Sequence, residues 1–140
     1  MSARAGTVRM YEYLLTIDGN ESRARTQAET VVNHPTNATD IHATLLHVTT
    51  ESDPTPIEEM PAITIAQDIL ADAGIGTDLM RIDGDPTTVI LETAEEIDAE
   101  RICIAGRKRS PTGKAVFGSV TQGIILSTTR PVLVCHTEEQ

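Results

Sequence analysis

Apolar residues recur first with the period of a strand and then with the period of a helix. This alternation along the chain predicts strands followed by helices. A β-rich run over residues 9–17 predicts the first strand, and the turn-forming residues 18–20 interrupt it. Residues 21–34 then show helical spacing, with Arg23 expected on the solvent side. The apolar stripe of this helix is predicted to contain Ala24, Ala28, Val31 and Val32.

The second strand is predicted over residues 43–49, an almost continuous apolar run of the kind found in strands covered on both faces. A helix follows from about Met60, with a stripe formed by Ile65, Ile69 and Ala73 and with glycines after its end. Residues 77–83 have the weakest strand pattern, and we expect them at a sheet edge.

Four further elements complete the predicted fold. Asp85 is placed to cap a helix that begins at Pro86, with Val89, Ile90, Ala94 and Ile97 inward. Residues 102–105 predict a buried central strand. Ser119 and Gln122 fit a capping box that opens a helix to about residue 128, before a strand over residues 132–135 at or near a sheet edge. The inward side chains of the helix that begins at Ser119 are predicted to be Val120, Ile124 and Ile125.

This alternation predicts an α/β fold in which an open, five-stranded parallel sheet carries helices on both faces. In such sheets ligands bind beyond the carboxyl ends of the strands, where the strand order reverses. The loops over residues 18–22 and 106–118 are therefore the candidate binding loops. At 140 residues, with no linker or repeat, the chain is expected to form a single domain over residues 1–140.

Charge restricts the classes of partner. The chain carries 21 acidic and 11 basic residues, a formal net charge of -10. Nucleic-acid binding is disfavoured because most of the surface would repel phosphate backbones. So acidic a chain, with only two lysines, fits a halophilic source, whose salt screens the self-repulsion.

The apolar runs are too short to span a membrane, and the first residues lack the apolar segment of a signal peptide. We therefore expect a cytoplasmic protein without membrane association. Cys103 and Cys135 both lie in apolar runs without metal-ligand spacing, so buried, reduced thiols are expected and no metal site is predicted.

The loop after the fourth strand contains four of the 11 basic residues, which points to a small anion as its ligand. A phosphate needs converging amide hydrogens and preferably a helix N-terminus. Gly106, Gly113, Gly118 and Ser119 offer these features, and Arg107, Lys108, Arg109 and Lys114 would add charge. The alternative is that the glycines only turn the chain, Ser119 only caps a helix, and the basic residues are solvated. Neither a P-loop nor a dinucleotide fingerprint is present.

The same residues resemble the universal stress protein family, whose ATP-binding members carry Gly, two residues, Gly, nine residues, then Gly with Ser or Thr. Gly106 is similar to the first glycine, and Gly118 and Ser119, followed by Val120, are similar to the final pair. Asp18 resembles the aspartate that contacts the nucleoside, and Val48 the valine beside adenine. Gly84 with Pro86, and the last strand, also resemble the family pattern.

The resemblance implies an adenine nucleotide alpha hydrolase-like, Rossmann-like fold with strand order 3-2-1-4-5. It implies a stress-response module that binds ATP or AMP, with Mg²⁺ accompanying the nucleotide, and a homodimer formed through the C-terminal strand. The expected nucleotide-binding residues are Asp18, Val48, Gly106, Arg109, Gly113, Gly118, Ser119 and Val120.

The loop departs from the family pattern, since Arg109 stands where the second glycine belongs and 11 residues separate Gly106 from Gly118. This departure leaves open a homodimeric regulatory protein of the same fold that binds no nucleotide. Catalysis, with His47 or Asp18 as a general base, is a third alternative. No nucleophile and base occur at readable spacing, so we expect no enzyme, or at most weak ATP hydrolysis.

Overall fold

The computed structural model of the chain describes residues 10–49, 55–106 and 118–136. Five strands form one sheet in the order β3-β2-β1-β4-β5, and all four neighbouring pairs are parallel. The predicted fold class and strand order are confirmed, and β3 and β5 lie at the edges. The strands are β1 (Tyr11–Thr16), β2 (Ile41–Thr49), β3 (Gly76–Asp83), β4 (Arg101–Ala105) and β5 (Val132–Cys135).

Four α-helices connect the strands, and each begins for a readable local reason. Asn20 caps the first helix by accepting a hydrogen bond from the Arg23 amide at 2.8 Å. Asp85 caps the third helix through the Thr88 amide at 3.1 Å, as predicted, with Pro86 in the first turn. The helices are α1 (Glu21–Val32), α2 (Pro61–Asp72), α3 (Pro86–Glu96) and α4 (Ser119–Ser127), with short 3-10 turns at Ala38–Asp40 and Ile57–Glu59. None of these described helices has the length and apolar content that crossing a membrane requires.

Side chains of the central strand alternate between two cores. Tyr13, Leu15 and Ile17 point to the face covered by α1 and α2, while Leu14 points to the face covered by α3 and α4. All four are at most 2% exposed. Burying a large apolar side chain stabilises the fold by about 1.5–3 kcal/mol, so this strand ties the two layers together.

The buried faces of three helices differ in part from the predicted stripes. In α2 the fully buried residues are Ala62, Ile63, Ala66 and Leu70, whereas Ile65, Ile69 and Ala73 are only partly buried. Small residues of α2 are buried because α1 lies beside it and buries alanines of its own, Ala24 and Ala28. Val32 in α1 and Ile125 in α4 are exposed at 36% and 40% because each lies beside, not within, its helix's buried stripe.

The predicted capping box of α4 is also wrong. The Gln122 amide bonds to the carbonyl oxygen of Gly118 at 3.1 Å, which makes Gly118 the N-cap and Ser119 the first helical residue. A capping box requires Ser119 at the N-cap position. Within the described residues no N-cap side chain bonds to this helix, because Gly118 has none, so the N-cap leaves amide hydrogens at the start of α4 for a ligand.

Candidate functional site

A crevice opens where the strand order reverses. β1 pairs with β2 on one side and with β4 on the other, so the chain leaves the carboxyl ends of β1 and β4 toward opposite faces of the sheet. A cavity of about 330 Å³ lies at this point, within the size range of small-ligand sites. Its lining consists of Thr16, Ile17, Asp18, Arg23, Leu46, Val48, Pro86, Ile90, Ile104, Ala105, Gly106, Gly118, Ser119, Val120 and Thr121.

The loop after β1 holds one carboxylate at the mouth of this cavity. The amide of Asn20 donates to Asp18 Oδ1 at 3.0 Å, which closes a tight turn around Gly19. Gly19 has a φ of 99°, a conformation that favours glycine. Because Asn20 also caps α1, the start of that helix fixes the position of the Asp18 side chain.

A salt bridge to α1 completes this corner of the cavity. Arg23 Nε donates to Asp18 Oδ2 at 2.9 Å, with side-chain exposures of 27% and 49%. Arg23, expected on the solvent side, is partly exposed and also bonds to Asp18, because the turn at Gly19 folds Asp18 back over the first turn of α1. The cavity gains a guanidinium group that the pattern of apolar residues did not reveal.

The opposite side of the cavity is the start of α4. Gly118, Ser119, Val120 and Thr121 all line it, and Ser119 is exposed. The first turn of α4 contains no acidic residue and has no side-chain cap. Uncapped amides and the helix dipole together favour an anion at this position.

Gly106 ends β4 at the floor of the cavity, and its lack of a side chain has a packing cause. A Cβ atom there would lie 2.7 Å from His136 Cε1 and 2.9 Å from Val134 Cγ1. Packing against the end of β5 therefore requires the absence of a side chain at Gly106, while the residue itself lines the cavity. The Gly106 amide donates to the Cys135 carbonyl oxygen at 2.7 Å, which fixes where the loop after β4 begins.

The side chain of Gln27 in α1 bonds to the two strands at the floor of the cavity. Its side chain is fully buried, and Nε2 donates to the carbonyl oxygens of Thr16 at 2.9 Å and Cys103 at 3.1 Å. One amide group thus joins the end of β1 to the middle of β4. Its Oε1 is the single buried side-chain oxygen or nitrogen in the described residues that has no hydrogen-bond partner.

The remaining wall of the cavity is apolar. Leu46 and Val48 of β2, Ile90 of α3 and Ile104 of β4 supply it. Leu46 is fully buried, whereas Val48 is only half-buried. The arrangement joins an apolar wall to an anion-favouring helix start and a carboxylate, which suits a ligand with a flat apolar part and a negatively charged part.

The structure brings together six of the eight predicted site residues: Asp18, Val48, Gly106, Gly118, Ser119 and Val120 all line the cavity. Arg109 and Gly113 lie outside the described residues. Sequence reasoning missed Arg23, Thr16, Ile90 and Thr121. The available signal for Arg23 was a basic residue in the first turn of a helix directly after the candidate aspartate.

His47, the histidine considered as a general base, is turned away from the cavity. Its Nδ1 lies 2.8 Å from the carbonyl oxygen of Ile17, and the residue does not belong to the cavity lining. As the Nδ1–H donor of that bond, His47 supports the end of β1. Asp18 is the one carboxylate of the lining, and it pairs with Arg23.

Comparison with known families gives one match over most of the chain. The model of the universal stress protein family matches residues 10–136. A universal stress protein from Mycolicibacterium smegmatis is 37% identical over 65 residues, which are 46% of this chain and 50% of that protein. The match therefore spans about half the length of this relative.

Solved structures of the family share the fold. The universal stress protein from Archaeoglobus fulgidus has a TM-score of 0.71 at 25% identity, over 91% of this chain and 99% of that chain. A universal stress protein from the same organism, solved in complex with dAMP, has a TM-score of 0.68 at 19% identity, over 91% of this chain and 98% of that chain. A family protein from Arabidopsis thaliana with AMP bound has a TM-score of 0.65 at 16% identity, over 91% and 92%.

Proposed function

The chain belongs to the universal stress protein family, and from that premise we propose that it binds an adenine nucleotide, AMP or ATP, in the crevice between β1 and β4. One observation supports this most strongly: the Asp18 loop and the uncapped start of α4 line one cavity with an apolar wall between them. Relatives of the same fold have been solved with dAMP and with AMP. Occupancy of the crevice would bias the shape or partners of a stress-response module.

Each part of the nucleotide has a matching surface. The adenine ring packs against Val48 and the neighbouring aliphatic side chains, and the Asp18 carboxylate accepts a hydrogen bond from the nucleoside. The phosphate lies at the amides of Gly118 and Ser119, where the helix dipole favours negative charge. Burying one face of a flat ring in this apolar wall would supply most of the affinity.

We propose binding without efficient turnover. The described residues include no cluster of three or more His, Cys, Asp or Glu side chains that could hold a metal ion. Mg²⁺ would therefore arrive with a triphosphate and be held mainly by its phosphate oxygens. His47 is committed to the Ile17 carbonyl and Asp18 to Arg23, so neither is placed as a free base.

The experiment that tests this function is titration calorimetry of the purified chain with AMP, ATP and GMP in buffer containing molar potassium chloride. We expect saturable binding of the adenine nucleotides, and Val48→Asp should remove it by placing a charge against the ring. Val32→Asp is the matched control because Val32 is exposed on α1. Circular dichroism establishes that both variants fold.

Absence of binding by any adenine nucleotide to the folded wild-type chain would overturn the proposal. That result would favour a homodimeric interaction protein of the same fold, the alternative that the altered glycine loop supports. We further propose that dimers form through β5. It is an edge strand, and its central residues Val132, Leu133 and Val134 are only half-buried within one chain.

A further inference from the structure

The two cysteines of the chain meet on neighbouring strands. Cys103 lies opposite Leu133, and Cys135 lies opposite Ala105, so the two cysteines are two residues apart along the β4–β5 ladder. Both point into the core between the sheet and α1. Their Sγ atoms are 3.2 Å apart, and both are free thiols.

We propose that Cys103 and Cys135 are a modification site, at which a hydroperoxide such as hydrogen peroxide converts the thiol pair into a reversible intramolecular disulfide. A disulfide bond is about 2.05 Å long, so the sulfurs must approach by about 1 Å. Within the described sheet β5 pairs only with β4, so this small shift moves the β4–β5 ladder and no other. The site is separate from the proposed nucleotide site and does not depend on it.

The surroundings give the two sulfurs different roles. The pKa of Cys135 is lowered to about 7 because the Cys103 thiol donates a hydrogen bond to its sulfur, and a further hydrogen bond comes from Thr30, although burial opposes the change. The same contact with Cys135, together with burial, raises the pKa of Cys103. Cys135 is 6% exposed and Cys103 is fully buried. Cys135 is therefore the thiolate that meets the oxidant.

The reaction proceeds in two balanced steps. The Cys135 thiolate attacks one peroxide oxygen, so an S–O bond forms, the O–O bond breaks, and the second oxygen leaves as water after protonation. The sulfur of Cys103 then loses its proton and attacks the Cys135 sulfenic acid. The S–S bond forms, the S–O bond breaks, and a second water leaves. Two electrons pass from the two sulfurs to the peroxide.

The test uses the full-length, reduced chain under native salt. After brief treatment with hydrogen peroxide and quenching, the protein is denatured, alkylated with N-ethylmaleimide and weighed by mass spectrometry. We expect a monomeric chain lighter by two hydrogens that takes up no alkylating agent, and dithiothreitol should restore both reactive thiols. Since the chain contains two cysteines, that product has one assignment. Two fully alkylated thiols, disulfides only between chains, or irreversible oxidation of Cys135 without a disulfide would each overturn the proposal.

Variants separate the two roles. In Cys103→Ser, whose hydroxyl keeps a hydrogen-bond donor beside Cys135, the Cys135 sulfenic acid should accumulate and be trapped by dimedone, whereas in Cys135→Ala the Cys103 thiol should stay fully alkylatable. The oxidation of the wild-type chain tests the disulfide even if the cysteine variants fail to fold. In a folded Cys103→Ser chain, absence of a dimedone adduct on Cys135 after peroxide treatment would exclude Cys135 as the thiolate that meets the oxidant.

Discussion

Arg23 Nε donates to Asp18 Oδ2 at 2.9 Å across the first turn of α1. The pair leaves Asp18 half-exposed at the mouth of the crevice, with an acceptor available to a ligand. An ion pair this exposed stabilises a fold by at most about 1 kcal/mol. The ion pair therefore orients the Asp18 carboxylate more than it stabilises the fold.

Asp18→Asn should lower the affinity for nucleotide and leave the stability of the fold almost unchanged. We expect AMP affinity to fall by about 10- to 100-fold, since one charge-assisted hydrogen bond contributes roughly 1.5–3 kcal/mol. The free energy of unfolding should change by less than about 1 kcal/mol. Calorimetric titration and urea denaturation measure the two effects. Glu29→Gln, a charge-neutralising change at an exposed position of α1, is the control and should alter neither quantity.

Gly106→Ala should destabilise the fold by about 1–3 kcal/mol, the usual cost of overpacking. The added methyl group would meet Val134, a stiff β-branched side chain, as well as the ring of His136. Gly76→Ala is the matched control because the nearest atom there, His42 Cδ2, is at an ordinary contact distance of 3.8 Å. Urea denaturation compares the two. Equal stability of both variants would show that crowding at Gly106 is relieved by a small movement of β5.

Stability should fall with acid in a way that depends on His34. Burial, and then the nearby Arg101 charge, lower the pKa of His34. Tyr13 O–H donates to Nδ1 of the neutral ring, and Arg101 also approaches Nδ1 at 3.4 Å. Below about pH 6.5 the unfolded chain takes up this proton more readily than the folded chain. The folded state consequently loses stability as the pH falls through the unfolded pKa toward the lower folded one.

Urea midpoints at pH 7.5 and 5.5 for the wild type and for His34→Gln measure that contribution. The variant should lose less stability between the two pH values, because its side chain carries no titrating group. Every other titration is common to both proteins and cancels in the difference. Identical losses in the two proteins would assign the acid sensitivity to other groups.

Amide exchange should reveal whether β5 mediates a homodimer. The carbonyl oxygens of Pro131 and Cys135 accept bonds from β4, so the alternate residues Val132 and Val134 direct their amides outward. If dimers form through this edge, those two amides should exchange slowly at concentrations where sedimentation shows a dimer and faster on dilution. The amides of Leu133 and Cys135 face β4 and serve as the internal reference. Outward amides that exchange fast in an established dimer would place the interface elsewhere.

The order and type of the elements were predictable because buried strands and capped helices leave strong local signals. Residues 102–105 form a continuous apolar run, and Asp85 directly precedes Pro86; both became the elements that these patterns predict. Strand order came from the family resemblance, since composition does not encode which strands are neighbours. The buried faces of α2 and α4 were harder to predict. Periodicity identifies an apolar stripe on a helix, but it does not give the tilt at which the helix packs against its neighbour.

Site residues that directly follow a strand were predictable from the sequence. Contacts that form where the chain folds back on itself were not. Asp18 and Gly106 directly follow strands, so the topology alone places them at the crevice. Arg23 joins them because a turn with positive φ at Gly19 reverses the chain, and sequence spacing does not reveal that contact. The packing of Gly106 against His136 and Val134 was not predictable either, because those residues come from 28 to 30 residues further along the chain.

The buried amide of Gln27 determines how the crevice responds to a ligand. Since it already ties Thr16 to Cys103, the end of β1 is held at a fixed separation from the middle of β4 before anything enters. A ligand would find a preorganised floor and would lose little affinity to ordering the protein there. Association should then be limited by diffusion and by the loops at the rim, with no slow rearrangement of the sheet.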